Sequence, residues 1–294
     1  MDYDILSKDL LHNFYGAKVT KKRLLVDKII ATKPANKEHY CATVAGTLMF
    51  SEVPHIYLPE ALIRCTRFKG VAGRNILRTE DITGTIEQQA EQGLKLVVHW
   101  IATNYEFLGV KLAGKIPVPI EAIREAIINT LLHRKYNIPG AIKIAVYDDR
   151  VEIFNPGCFP GLVDINSLGD GTTYLRNPNL VRLAYQLRLI EARGTGIRLI
   201  YESCKKAGIK KPIYHEEGDF VKVIFYFAPD ITSYDNEKSA IKAFITLQHT
   251  VSAQQIADFL SVSHNTAIRK LNLLVESKHV RKIGKGPTTK YRVV

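Results

Sequence analysis

The last sixty residues constrain the fold most, because helices, a turn and a basic hairpin can all be placed there from spacing alone. Ile256, Phe259 and Leu260 put one apolar stripe on a short helix, and Ile268, Leu271 and Leu274 put another on the next. Between them, Ser261 and Ser263 offer the side-chain oxygens that end one helix and cap the following one. The pattern is helix-turn-helix. Val280-Arg-Lys-Ile283, the turn-forming Gly284-Lys-Gly-Pro287 and Lys290-Tyr-Arg-Val-Val294 then read as two short strands joined by a basic loop, a wing.

Charge follows the same division. Residues 235–294 hold ten Lys or Arg against four acids, a net +6 out of +12 for the chain. Cations clustered beside such a helix release counterions from phosphates, so each phosphate neutralised adds a salt-dependent increment to affinity. This segment resembles winged helix-turn-helix regulators, in which the second helix enters the major groove. The resemblance implies double-stranded DNA as partner, with Ser263, His264, Asn265, Thr266, Arg269 and Lys270 facing it and Lys285 and Lys290 at the wing. It also implies a homodimer, since regulators that read palindromes are usually dimers. The plain alternative is a winged helix used for protein contacts.

A chain of 294 residues, 46% of them hydrophobic, can bury a sizeable core, and domain-size statistics suggest two or three units. Cys41, Cys65, Cys158 and Cys204 are far apart, without a Cys-x-x-Cys pair or histidines at metal-ligand spacing. They read as reduced core thiols of a cytoplasmic protein. The opening Met-Asp-Tyr-Asp has acids where a signal peptide needs basic residues, and no apolar run is long enough to span a bilayer, so no membrane is expected.

Along the chain, residues 1–33 show helical spacing up to Pro34, and Tyr40 to Phe50 reads as a second short helix. Ala61 to Lys69 alternates as a half-buried strand, and Gly70 and Gly73 break it. A long amphipathic helix is expected from Thr85 to about Tyr105, a strand over 109–113, and another helix from Ile120 to about Lys135. That helix carries Glu125, Asn129 and His133 at successive i, i+4 steps, so all three line one face. Two β-rich runs follow, Ile142–Tyr147 and Val151–Phe154, with a hairpin signal at Asp148-Asp-Arg150. After the turn-rich 155–161 come a helix over 177–189, a second opened by Gly194-Thr-Gly196, and a strand over 220–227.

In order, Ile123-Arg-Glu-Ala-Ile-Ile-Asn-Thr-Leu-Leu-His-Arg-Lys-Tyr136, Phe154-Asn-Pro-Gly157, Leu175-Arg-Asn-Pro178 and Glu191-Ala-Arg-Gly-Thr-Gly-Ile197 resemble the ATPase fold of gyrase, Hsp90, histidine kinases and MutL. More narrowly they resemble the RecG-like C-terminal domain of bacterial transcriptional regulators. The fold class implied is α/β (α+β): a mixed N-terminal region over 1–110, a degenerate gyrase-like ATPase α/β sandwich over 111–230, and a winged helix over 235–294. The Schlafen-type AlbA domain common upstream in such regulators is not among these residues.

The resemblance implies ATP and Mg²⁺ as cofactors. Glu125 is then the water-activating carboxylate and Asn129 the Mg²⁺ ligand, that ion preferring oxygen donors. Gly194, Thr195 and Gly196 bring backbone N–H groups to phosphate with Arg193 beside them, and Asn155 with Gly157 lies at the base. Two positions depart from the pattern: Asn155 stands where an aspartate reads the adenine amino group, and Leu132 where another aspartate is usual. An amide oxygen still accepts a hydrogen bond but carries no charge, so hydrolysis is expected to be weak or absent. The function expected is a DNA-binding transcriptional regulator with a nucleotide-binding-like sensor or dimerisation domain; the alternative is an ATP-dependent enzyme acting on nucleic acid.

Overall fold

A computed structural model of the chain describes residues 2–16, 19–33, 36–71, 73–108, 111–161, 163–172, 174–191, 194–228, 236–248, 250–284, 286 and 289–294. The N-terminal stretch opens with α1 (Lys8–Tyr15) and α2 (Lys21–Val26), whose first N–H groups are capped by the side chains of Ser7 and Thr20. The helical run expected over 1–33 is therefore broken. α1 stops at Gly16, which takes φ of 81°, and the stretch ends in a strand, β1 (Ile30–Lys33). β1 pairs antiparallel with β2 (Asn36–Ala42), so the helix expected from Tyr40 begins only at α3 (Val44–Phe50). Thr43 sets that boundary, its hydroxyl accepting from the Gly46 N–H.

A short α4 (Pro54–Tyr57) leads to β3 (Ile63–Lys69) and β4 (Asn75–Ile82), joined through Gly70 and Gly73, both at positive φ. Thr85 and Gln88 form a capping box at the start of α5 (Ile86–Ile101), which ends four residues before Tyr105 because β5 (Thr103–Leu108) takes over. β5 pairs with β6 (Lys111–Lys115), so the strand expected over 109–113 starts at 111, and Gly109 lies outside the described residues. Then come α6 (Ile120–His133), β7 (Ile142–Val146), β8 (Arg150–Pro156), α7 (Pro178–Gln186), α8 (Gly196–Lys206), β9 (Ile213–Glu217) and β10 (Phe220–Tyr226). The C-terminal stretch holds α9 (Glu237–Gln248), α10 (Ala253–Leu260), α11 (His264–Glu276), β11 (Val280–Ile283) and β12 (Lys290–Val293).

The architecture is mixed α/β. Six strands form one sheet in the order β4-β3-β7-β8-β10-β9, antiparallel except for β3 against β7. Register aligns Cys65 with Ile144, Ile144 with Ile153 and Ile153 with Val223, a buried row on one sheet face. α5 and α6 pack on that face, and Gly93 of α5 marks the close approach: a Cβ there would stand 3.5 Å from Ile63 and within 4 Å of Ile82 and Ile127. Because β3 and β4 share this sheet with β7, β8 and β10, it draws strands from both sides of residue 110, where a domain boundary is expected from sequence.

Buried apolar residues fall into two clusters with no common member. One runs from Leu6 to Phe227 and includes α1, α3, the sheet and α5 to α8. The other runs from Ala240 to Tyr291, where α9, α10, α11 and the β11–β12 hairpin enclose Ile245, Ile256, Leu271 and Val280. Among the described residues no helix is long and apolar enough to cross a membrane, and no group of three or more His, Cys, Asp or Glu could hold a metal ion.

Candidate functional site

α6 carries Glu125 and Asn129 one turn apart, and the Asn129 amide donates to Glu125 Oε1 at 3.2 Å. Opposite them stands the N-terminus of α8. Gly196, its first residue, is approached so closely that a Cβ there would lie 2.1 Å from Glu125 Oε1 and 3.0 Å from Asn129 Nδ2. Thr195 makes no side-chain cap there, and the Glu125 carboxylate is the anion that stands beside this terminus. Gly194 turns the chain into the helix with φ of 83°, a conformation that suits glycine. Burial pushes the Glu125 carboxyl above its ordinary value, and the Asn129 hydrogen bond opposes that shift.

These residues border a cavity of about 350 Å³, within the range of small-molecule sites. Glu125, Asn129, Asn155, Gly157, Gly194 and Gly196 all line it; Thr195 does not, and Arg193 lies outside the described residues. Sequence positions seventy residues apart thus meet around one space. The opposite wall comes from the connection between β8 and α7, including Phe159, Asp164, Asp170 and Tyr174. His133 shares the cavity wall, and burial next to the Arg176 guanidinium holds its imidazole down to about 4.

Toward the other end of the cavity, two buried polar atoms lack partners. Asn155 Oδ1 is buried without a hydrogen-bond partner, and so is Arg176 Nε. Leu132, the second departure, is buried in the apolar cluster and borders the same cavity. One end of the cavity thus carries a carboxylate and an amide beside a helix N-terminus, and the other an amide and a guanidinium.

Two residues inside the quoted motifs take positioning roles that the sequence does not reveal. Asn177 donates through Nδ2 to the carbonyls of Leu132 (2.9 Å) and Arg134 (2.8 Å), closing the C-terminal end of α6. Arg134 is fully buried and donates to the carbonyls of Lys135, Ile138 and Gly140. Both hold the end of the helix that carries Glu125 and Asn129. A buried arginine has no signature in hydrophobic periodicity, which reads such a position as surface.

On the C-terminal stretch, His264, Asn265 and Arg269 are exposed on α11. Ser263 and Thr266 are engaged with each other: the Thr266 N–H donates to Ser263 Oγ, and the two hydroxyls lie 2.8 Å apart. Lys270 turns back to α9 and pairs with Glu237. Lys290 is exposed on β12, and Lys285 lies outside the described residues. The hairpin adds residues whose face the strand register fixes. Val280 and Tyr291 are buried, so the register sends Arg281, Arg292 and Lys290 to the opposite, exposed face, with Arg281 directly across from Arg292.

No curated protein matches the chain. Among solved structures the chain is similar in fold to the DIP2311 protein from Corynebacterium diphtheriae, with a TM-score of 0.58 and 15% identity over 100% of this chain and 69% of that one. Residues 140–225 match the family described as "Putative ATP-dependent DNA helicase recG C-terminal". The matched stretch runs through β7, β8, α7, α8, β9 and β10, taking in Asn155, Gly157 and the Gly194–Gly196 turn but not Glu125 or Asn129, and makes this region similar to a RecG C-terminal-type ATPase domain.

Proposed function

We propose that the chain is a DNA-binding transcriptional regulator. Residues 235–294 act as a winged helix-turn-helix on duplex DNA, and the cavity between α6, β8 and α8 takes a nucleotide as effector. The observation that carries this reading is the exposed face of the β11–β12 hairpin. Arg281 stands directly opposite Arg292 with Lys290 beside them, an arrangement that repels itself until a polyanion neutralises it. Two copies on a palindromic site would make the active form a homodimer working in the cytoplasm.

The test is retention of the full chain on duplex DNA across a salt series. Replacing Arg281 and Arg292 together by Ala is expected to make the log–log salt slope shallower by roughly two, one increment per lost phosphate contact. An unchanged slope, or affinity no higher than that of a charge-matched control protein, ends the reading.

A second reading, an ATP-binding or ATP-hydrolysing enzyme acting on nucleic acid, is favoured by one specific observation: Glu125, Asn129 and Gly196 converge on one point of the cavity. With Nδ2 spent on Glu125, Oδ1 is the Asn129 atom left to ligate Mg²⁺. A thermal-shift titration with ATP and Mg²⁺ is expected to add roughly 2.7 kcal/mol at a hundred times the dissociation constant. The same shift in Asn129→Ala would remove this site from consideration. Phosphate release stimulated by DNA would favour the enzyme over the regulator.

A further inference from the structure

The exposed stripe of α11 has a composition of its own. Asn265, Arg269 and Asn272 are all exposed and stand at i, i+4 and i+7, within an arc of about 60° at 3.6 residues per turn. Around it, Ala267, Leu271 and Leu274 are buried in the C-terminal core, Lys270 is paired with Glu237 on α9, and Leu273 is exposed beside Arg269. The outward stripe is therefore two amides and one guanidinium, with no lysine and no aromatic ring.

Those side chains have a specific complement. Asn presents a donor and an acceptor that match N6 and N7 of adenine, and Arg presents paired donors that match O6 and N7 of guanine. From Asn265 to Asn272 the helix rises about 10.5 Å, close to the roughly 12 Å width of the major groove. Glu276 continues the stripe but lies about 16.5 Å from Asn265 along the axis. Its carboxylate is exposed and would be repelled by phosphate, so the stripe fit for DNA ends before it.

We infer that Asn265, Arg269 and Asn272 read bases in the major groove as an adenine, a guanine and an adenine within about four base pairs, and that Asn272 is a specificity-determining residue. Exposed cations on the hairpin supply affinity without sequence information, whereas these three supply the choice of site. The inference rests on the DNA-binding reading above and adds to it the sequence class preferred.

The experiment selects duplexes carrying a randomised stretch with the full chain, then repeats the selection with Asn272→Ala. The expected result is a motif with a guanine flanked by adenines; Asn272→Ala loses the preference at one adenine while its affinity for random duplex and its salt slope stay unchanged. Replacing N7 of the selected guanine by CH should weaken the wild type roughly ten-fold or more and leave Arg269→Ala nearly indifferent. If DNA is retained but Asn272→Ala selects the wild-type motif, or no motif emerges, the inference is overturned with DNA binding intact. Failure to retain any duplex overturns the DNA-binding reading first and this inference with it.

Discussion

At the scale of single residues, two glycines that look alike in sequence make opposite predictions. A Cβ on Gly46 would lie 2.1 Å from the Ile29 carbonyl oxygen, a backbone atom inside the core, so Gly46→Ala must move α3 or β1. The expected cost is about 3 kcal/mol, read as a lowered denaturant midpoint. A Cβ on Gly196 meets Glu125 Oε1 at the same 2.1 Å, but that atom ends a flexible side chain that can swing aside. Gly196→Ala should therefore leave stability within about 1 kcal/mol of wild type while weakening nucleotide binding in a thermal-shift titration. His133 supplies a pH dependence. Its folded value of about 4 lies below the ordinary 6.5, so the unfolded chain takes up a proton that the native state refuses. Stability is then complete above about pH 6.5 and lost as pH falls toward 4, by at most about 3 kcal/mol because the ring borders a cavity. Glu125 works the other way, since a raised carboxyl favours the native state as pH falls. Unfolding of wild type and His133→Gln at pH 7 and pH 5 isolates the imidazole: the variant should lose less, and equal losses would mean that the ring is solvated when native.

At the scale of elements, Asn177 ties the start of α7 to the end of α6. Asn177→Ala removes both side-chain hydrogen bonds to the Leu132 and Arg134 carbonyls and is expected to cost about 2 kcal/mol, again as a shifted denaturant midpoint; a cost below about 0.5 kcal/mol would mean that water replaces the amide freely. What the sequence made legible here was local. Thr85, Ser263 and Gly208 mark helix ends through their own side chains or φ, and the apolar stripes of α10 and α11 place those helices closely. Two edge strands were not legible. Nearly every residue of β4 and β9 is exposed, so neither shows the alternation that reveals a strand, and both exist because β3 and β10 offer them partners. The helix face of Glu125 and Asn129 followed from a 3.6-residue period, but its meeting with Gly196 depends on how α6 and α8 pack. Arg281 and Arg292 could be assigned a face only once the buried partner residues, Val280 and Tyr291, fixed the pleat.

At the scale of the whole molecule, the two apolar clusters share no residue, and that separation has a thermodynamic consequence. If each cluster loses its packing while the other keeps its own, a calorimetric scan shows two unfolding transitions, where a single cooperative core would give one. Ligands assign them. On the proposed function, ATP with Mg²⁺ should raise only the transition of the cluster from Leu6 to Phe227, and duplex DNA only that of the cluster from Ala240 to Tyr291. Leu274→Ala, which empties a site in the smaller core, should lower the DNA-responsive transition by about 2 to 5 kcal/mol and leave the nucleotide-responsive one in place. If either ligand moves both transitions, the two cores exchange free energy, and the nucleotide then has a direct route to the affinity for DNA. A calorimetric scan with each ligand alone and both together therefore measures whether the cavity governs the C-terminal module or only accompanies it.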